Sequence, residues 1–336
     1  MPGPYHRVRV AQVIEETPDA CSLVLDLPPA LGTRFAYQPG QFLTVRVPGD
    51  SAAGVARCYS LSSSPHTDPA PKITVKRVLD GYVSNWICDH VTPGTELDLM
   101  VPTGQFVPRS LDGDLLLMAG GSGITPVISI VKSALAQGRG HLALLYANRD
   151  PRSVIFSAEL ARLEAEHPDR LRVSHWFDVE QGPPTADALE PLLRPYAARE
   201  AFACGPEPYL AVACRALRRV GVPATRIHVE RFQADDPPAP PHPGERIAVA
   251  EVELNGQTYR MPWPASTRLL DVLIAGGLNP PYSCRQGICG ACACRVVRGE
   301  VELVHNEVLE DEDFAEGYTL ACQALPRSDE VGVSYS

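Results

Sequence analysis

The sequence predicts a chain of three modules: an antiparallel β-barrel, an α/β unit built on a parallel sheet, and a small C-terminal α+β unit. Three observations predict this. The first ~108 residues hold short β-rich runs between Gly, Pro and Asp signals. Residues 109–233 alternate strand-like runs with helical ones, the rhythm of a parallel sheet with right-handed crossovers. A proline-rich joint at 234–246 then sets apart residues 247–336, where cysteines crowd together.

In the first module the β-rich runs are 8–14, 22–27, 41–47, 57–62 and 72–78, with one short helix expected near 84–90. In the second, strands are expected at 114–119, 141–147, 171–177, 201–204 and 227–232, and helices at 125–137 and 156–167. The joint carries prolines at 237, 238, 240, 241 and 243, which resist both helix and sheet. The third module opens with a hairpin, 252–254 and 258–261, around Asn255-Gly256. Ser266 or Thr267 is expected to cap a helix through Ile274 that stops at Gly276-Gly277.

Length and composition bound the class. The 336 residues are 45% hydrophobic and 21% charged, ordinary for globular domains. The net charge is −10, and −7 of it falls after residue 246, which argues against nucleic acid and anionic membranes as partners. Apolar runs such as 115–119 and 127–131 are far short of the ~20 residues a spanning helix needs. No apolar leader follows the N-terminus, so the chain is expected in the cytoplasm. Ten cysteines in a reducing compartment point to metal rather than to disulfides.

Cys284, Cys289, Cys292 and, after 29 intervening residues, Cys322 form C-x4-C-x2-C…C, the plant-type [2Fe–2S] spacing. Two sulfide-bridged irons need four thiolates around a compact anionic object, and a loop giving three must curl. Gly287 and Gly290 permit the positive φ that curling requires. A zinc ribbon would need two C-x2-C pairs, and only Cys289/Cys292 qualifies. His228-Val-Glu230 lacks the Pro-Cys-x-x-Cys of a zinc deaminase. Cys294 lies two residues past the third ligand and is expected to be a bystander.

Other motifs fit cofactors. Arg57-Cys58-Tyr59-Ser60 could serve a planar isoalloxazine, Tyr59 offering an aromatic face, Ser60 a hydrogen bond and Arg57 a phosphate clamp. The same residues could equally be barrel core and rim. Gly81 and Ser84 open the short helix, where N–H groups suit a pyrophosphate, or Ser84 is an ordinary cap. Gly120-Gly121-Ser122-Gly123-Ile124-Thr125-Pro126 lies between a strand and a helix, as a dinucleotide phosphate would require, though such a turn can be purely structural. It meets neither the Rossmann fingerprint nor the serine-hydrolase elbow. Cys204-Gly205-Pro206 adds a second glycine at the same sheet edge.

Taken in order, R-x-Y-S, G-x-x-S, GGSGITP and CGP resemble the ferredoxin-NADP reductase superfamily, and with the cysteine loop the chain resembles its three-domain oxygenase reductases. The runs ARCYSLSSSP, VKRVLDGYVSNWICDH, YANRDPRSVIF and SCRQGICGACAC are most similar to the branch that serves 3-ketosteroid 9α-monooxygenases. The resemblance implies FAD on Arg57, Tyr59, Ser60, Lys76, Gly81 and Ser84, and a nicotinamide nucleotide on Gly120, Gly121 and Thr125. It places Cys204 and Gly205 beside the nicotinamide, and Glu230 and Phe232 at the end of the reductase part. Tyr59, Ser60, Cys204 and Glu230 would then carry the catalysis. Phe232 is not the chain terminus here, whereas the aromatic residue it resembles ends the reductase module in relatives.

The implied activity is electron transfer from NAD(P)H through FAD and the [2Fe–2S] cluster to a Rieske-type oxygenase. Coenzyme choice falls near Arg149 and Asp150: an acidic residue suits a ribose hydroxyl, an arginine a 2′-phosphate. The resemblance favours NADH over NADPH. A phenylacetyl-CoA epoxidase-type reductase is the runner-up. A cluster-based redox sensor is a distant third, since no basic DNA-reading segment exists.

Overall fold

The computed structural model describes residues 5–49, 54–232, 244–278, 280–282 and 284–335. Most of the proline-rich joint, residues 234–243, lies outside the described residues. The chain divides into two compact units, residues 1–43 with 59–232, and residues 44–58 with 233–336.

The first sheet contains β1 (His6–Thr17), β2 (Ala20–Asp26), β3 (Phe42–Val47), β4 (Val55–Ser60), β5 (Lys72–Lys76) and β6 (Glu96–Leu99), in the order β4-β3-β6-β1-β2-β5. The pairs β1–β2, β1–β6 and β2–β5 are antiparallel, as the expected barrel requires. Alternation drives it: Val8 and Val10 of β1 are buried while Arg7 and Arg9 face solvent. Helix α1 (Tyr82–His90) lies between β5 and β6 and buries Val83, Ser84 and Ile87. β6, only four residues long, was not among the expected strands.

The second sheet has the order β11-β10-β7-β8-β9, from β7 (Leu115–Gly120), β8 (Leu142–Asn148), β9 (Leu171–Phe177), β10 (Glu200–Gly205) and β11 (Ile227–Arg231). All its pairs are parallel, as expected. The unbroken apolar run of β7 has a direct cause. Leu115, Leu117 and Ala119 pack into one core with α2 (Ile124–Gln137) and α3 (Ser157–Glu166); Leu116 and Met118 pack into another on the opposite face. That second face is covered by α5 (Ala186–Leu193) and α6 (Glu207–Arg219), preceded by the one-turn α4 (Asp178–Gln181); none of the three was expected from sequence. The chain leaves β7 toward β8 on one side, while β10 flanks β7 on the other, so the switch point lies where β7 and β10 end.

The C-terminal sheet is mixed, ordered β13-β12-β18-β14-β16, from β12 (Ile247–Leu254), β13 (Gln257–Pro264), β14 (Ala293–Arg298), β16 (Tyr318–Leu320) and β18 (Glu330–Ser334). β15 (Val301–Leu303) and β17 (Ala324–Pro326) pair separately, and α8 spans Asp311–Ala315. The hairpin turn is the expected one: Asn255 (φ 53°) and Gly256 (φ 75°) are both left-handed. Helix α7 (Leu269–Ala275) ends at the expected glycines, but its cap position is Arg268, not Ser266 or Thr267. The Ser266 hydroxyl is drawn instead to Glu245 Oε2 at 2.7 Å, and the Thr267 carbonyl accepts the Trp263 indole N–H at 2.7 Å. Trp263, Leu269, Leu270 and Leu273 form a core that reaches Cys292 and Cys322. Among the described residues no helix is long and apolar enough to cross a membrane.

Candidate functional site

At the switch point the glycines divide their labour. A Cβ on Gly123 would stand 2.1 Å from the Cys204 carbonyl oxygen, and one on Gly120 2.8 Å from the Tyr209 ring. These two positions are glycine because β10 and α6 approach closely. Gly121 differs: its φ is 53°, its carbonyl accepts the Tyr146 hydroxyl at 3.1 Å, and a Cβ there would meet only Lys76 Nζ, at 3.9 Å. Lys76 is thus brought to the open side of the turn, with Asp19 3.7 Å from its ammonium. The Thr125 hydroxyl donates to the Ser122 carbonyl at 3.0 Å, closing the turn on itself. Gly205 packs against Gly120, whose Cα would be 3.1 Å from an added Cβ.

Beside these glycines, Cys204 of β10 stands opposite Glu230 of β11 in the parallel register. Cys204 is fully buried. Burial first, then the Glu230 charge, pushes its thiol well up, so it is a neutral group at neutral pH. Burial pushes the Glu230 carboxyl from 4.5 up to about 8, and the Ser60 hydroxyl nearby opposes the rise. Ser60 Oγ and Glu230 Oε2 are nevertheless buried without a hydrogen-bond partner. Orphaned buried polar atoms of this kind cost roughly 1–3 kcal/mol each unless a bound group satisfies them. The pair therefore fits a site whose occupant carries its own donors and acceptors, as a flavin or nicotinamide ring does.

Arg57 and Tyr59 project from one face of β4 and Ser60 from the other. Arg57 belongs to the second unit. There its guanidinium is 5.1 Å from the Tyr282 ring centroid, and its Nη1 donates to the Ala56 carbonyl at 2.8 Å. Gly81 is the cap position of α1, while Ser84 lies inside the first turn. The Ser84 hydroxyl accepts from Val78 N at 3.1 Å and donates to the Gly81 carbonyl at 3.3 Å, fastening the turn that presents the helix N-terminus. Asp150 caps a short 3₁₀ turn, accepting Ser153 N at 3.0 Å, and its other oxygen takes Arg149 Nε at 3.0 Å. Phe232, just past β11, is exposed.

The cysteine loop follows α7. Gly287 (φ 79°) and Gly290 (φ 71°) are left-handed, as curling requires, and a Cβ on Gly287 would stand 2.6 Å from the His305 carbonyl oxygen. Cys284 lies against Cys289, which also meets Cys58, and Cys292 lies against Cys322. Among the described residues no three donors converge as a single-ion site needs. One pair lies within the loop, and the other joins Cys292 of the loop to Cys322 beyond β16, an arrangement that suits a two-iron cluster. The sulfurs receive N–H donors: Gln286 N on Cys284 at 3.3 Å, Cys284 N on Cys289 and Cys322 N on Cys292 at 3.5 Å each. Gln323 Nε2 lies 3.5 Å from Cys322 Sγ and donates to the Arg285 carbonyl at 2.8 Å. The bond with Cys292, aided by Gln323 and the Arg268 charge, pulls the Cys322 thiol down to about 7. Cys294 is buried and its thiol pushed up to about 12 by that burial. Arg268 and Gln323 were not among the expected site residues. Gln323 had a signal, adjacency to a ligand, and Arg268 had none.

Comparison with known proteins gives the same three parts. Residues 7–107 match the family model of an oxidoreductase FAD-binding domain, 117–215 that of an oxidoreductase NAD-binding domain, and 252–327 that of a 2Fe-2S iron-sulfur cluster binding domain. The chain is 49% identical over 335 residues, 97% of its length and 95% of the relative's, to the ferredoxin reductase component of 3-ketosteroid-9-alpha-monooxygenase from Rhodococcus rhodochrous. It is 32% identical to a component of the 1,2-phenylacetyl-CoA epoxidase of Escherichia coli (strain K12), covering 98% of both chains. Among solved structures it is similar to phthalate dioxygenase reductase, with a TM-score of 0.63, 25% identity and 98% of each chain covered.

Proposed function

The chain belongs to the reductase components of multicomponent oxygenases, and from that membership we propose that it carries electrons from NADH, through FAD and a [2Fe–2S] cluster, to a Rieske-type oxygenase that 9α-hydroxylates 3-ketosteroids. The observation that carries the steroid reading is the 49% identity maintained over 97% of the chain, against 32% for the epoxidase component. We divide the chain into residues 1–108, 109–233, 234–246 and 247–336, a reading supported by the three matched ranges, 7–107, 117–215 and 252–327.

When bound, FAD supplies the conversion between a two-electron donor and the one-electron iron–sulfur centre. The residues prepare the places. Lys76 and the α1 N-terminus at Gly81 and Ser84 offer positive potential to a pyrophosphate. Arg57 and Tyr59, on one strand face, offer a cation and a ring. Gly120, Gly121 and Gly205 leave backbone open to the nicotinamide nucleotide, and Thr125 holds that turn. Cys204, kept protonated, puts no charge beside the nicotinamide. Glu230, kept protonated near neutral pH, can give a hydrogen bond or a proton to a bound ring, and the unpartnered Ser60 hydroxyl can give a second hydrogen bond. Arg149 and Asp150 neutralise each other, which supports NADH: the guanidinium is already engaged and does not welcome a 2′-phosphate. Cys284, Cys289, Cys292 and Cys322 would hold the cluster, their sulfurs steadied by backbone N–H groups.

Reconstitution tests the reading. The purified holoprotein with the oxygenase component of a 3-ketosteroid 9α-hydroxylase should support NADH-driven steroid hydroxylation. Hydroxylation absent there, with robust turnover on the oxygenase component of a phenylacetyl-CoA epoxidase, would overturn the steroid assignment.

A further inference from the structure

Cys21 on β2 and Cys88 in the last turn of α1, at the end of the helix away from Gly81 and Ser84, have their Sγ atoms 3.5 Å apart. Both are half-buried and so within reach of a small solute. The backbone of β5 holds them to one place. Cys21 is paired with Val75 in the β2–β5 register, and Cys88 Sγ lies 4.0 Å from the Val75 carbonyl oxygen.

The electrostatics divide the pair. Their shared hydrogen bond pulls Cys88 down and pushes Cys21 up, and the Arg77 guanidinium favours ionisation at both. Arg77 is fixed there by Asp89, 2.7 Å from its Nη2, and by Asn85 Oδ1 at 3.5 Å from Nη1. Thiolate character and exposure govern cysteine reactivity. By that measure Cys204, Cys294 and Cys214 compare poorly, the first two being buried and the third pushed up by burial, while the half-buried Cys58 lies against Cys289 of the cluster set.

We propose that Cys21 and Cys88 are a reactive dithiol which hydrogen peroxide closes into a disulfide between β2 and α1. The Cys88 thiolate attacks one peroxide oxygen; the O–O bond breaks, and the departing hydroxide takes up a proton as water, leaving Cys88 as a sulfenic acid. Cys21 sulfur then attacks the Cys88 sulfur. The S–O bond breaks, and hydroxide leaves with the Cys21 proton as a second water. The two sulfurs lose two electrons in total, and the peroxide gains them. To form the bond the sulfurs close from 3.5 Å to about 2 Å.

The test uses the full-length holoprotein, treated with equimolar hydrogen peroxide, alkylated and digested without reductant. The expected result is a cross-linked peptide joining Cys21 to Cys88 as the main new disulfide, reversed by dithiothreitol. The oxidised protein should melt roughly 5 °C higher, because the bond ties positions 67 apart in sequence. In Cys21→Ser, dimedone should label Cys88 as a trapped sulfenic acid; in Cys88→Ser, Cys21 should stay unlabelled. Both thiols fully alkylated after peroxide in the native chain, or cross-links that form elsewhere while this pair stays free, would overturn the proposal without help from either variant. Labelling of Cys21 instead of Cys88 would overturn the order of attack.

Discussion

Glu230 stands beside Cys204 in the register of two parallel strands, and its charge adds to the burial that keeps the Cys204 thiol protonated. The Glu230 carboxyl sits at about 8, above its ordinary 4.5. The folded chain therefore holds a proton that the unfolded chain releases as pH passes 4.5. Stability from this group is fully present below 4.5 and is lost as pH rises through about 8. Glu230→Gln should flatten that decline, read as Tm against pH. It should also slow NADH-driven flavin reduction at pH 7 by about tenfold, because a proton donor is lost while the shape is kept.

Gly123 is held by packing rather than by ligand approach. A methyl group there would stand 2.1 Å from the Cys204 carbonyl oxygen, which is backbone and cannot swing aside. Gly123→Ala should cost about 3 kcal/mol and lower Tm measurably. Gly121→Ala meets open space but a positive φ, and should cost less, about 1 kcal/mol.

Much of this is legible in the sequence, and for physical reasons. The cysteine spacing is readable because cluster geometry fixes it, and the Asn255-Gly256 turn because two left-handed residues in succession demand such a pair. The β7 run reads as a strand because both faces are buried. Helix α6 was not expected although its signal is present: Tyr209, Leu210, Ala213, Cys214, Ala216 and Leu217 recur at helical spacing, starting directly behind Pro206. Pro206 closes the Cys204-Gly205-Pro206 motif and also opens the helix, so the first role hides the second. The α7 cap was misplaced because Ser266 has a better partner in Glu245, distant in sequence and invisible to a local rule. The sharing of a buried pocket by Ser60, Cys204 and Glu230 depends on tertiary placement, so only resemblance could suggest it.

The pairing of thiols predicts a selective loss. Cys322 completes one pair with Cys292, whereas Cys294 lies buried outside both pairs. Cys322→Ser should abolish the [2Fe–2S] visible absorption and leave flavin reduction by NADH intact. Cys294→Ser should keep the full cluster spectrum. Loss of the cluster in Cys294→Ser with retention in Cys322→Ser would reassign the fourth ligand.

Charge should govern delivery to the oxygenase. Residues 247–336 carry thirteen acidic and six basic side chains. An excess of this size steers encounter with a basic patch, and salt screens it, with a Debye length of about 10 Å at 0.1 M. The second-order rate of oxygenase reduction should fall steeply between low salt and 0.5 M NaCl, while NADH-driven flavin reduction within the chain changes little. Equal rates across that range would remove electrostatic steering from the account.

Coenzyme choice can be probed without disturbing the fold, because Asp150 does two separable jobs. One oxygen accepts Ser153 N and caps the 3₁₀ turn; the other neutralises Arg149. Asp150→Asn keeps an acceptor for the cap and removes the charge, so the turn should survive while the guanidinium is released. A freed arginine attracts a 2′-phosphate. The native chain should prefer NADH by kcat/KM, and in Asp150→Asn the ratio should move toward NADPH by about tenfold, the equivalent of ~1.4 kcal/mol. Asp150→Ala should shift the ratio similarly but also lower stability by about 1 kcal/mol, through loss of the cap. A ratio unchanged in both variants, with Tm lowered only in the alanine one, would show that Asp150 serves the turn alone and that coenzyme choice is made elsewhere.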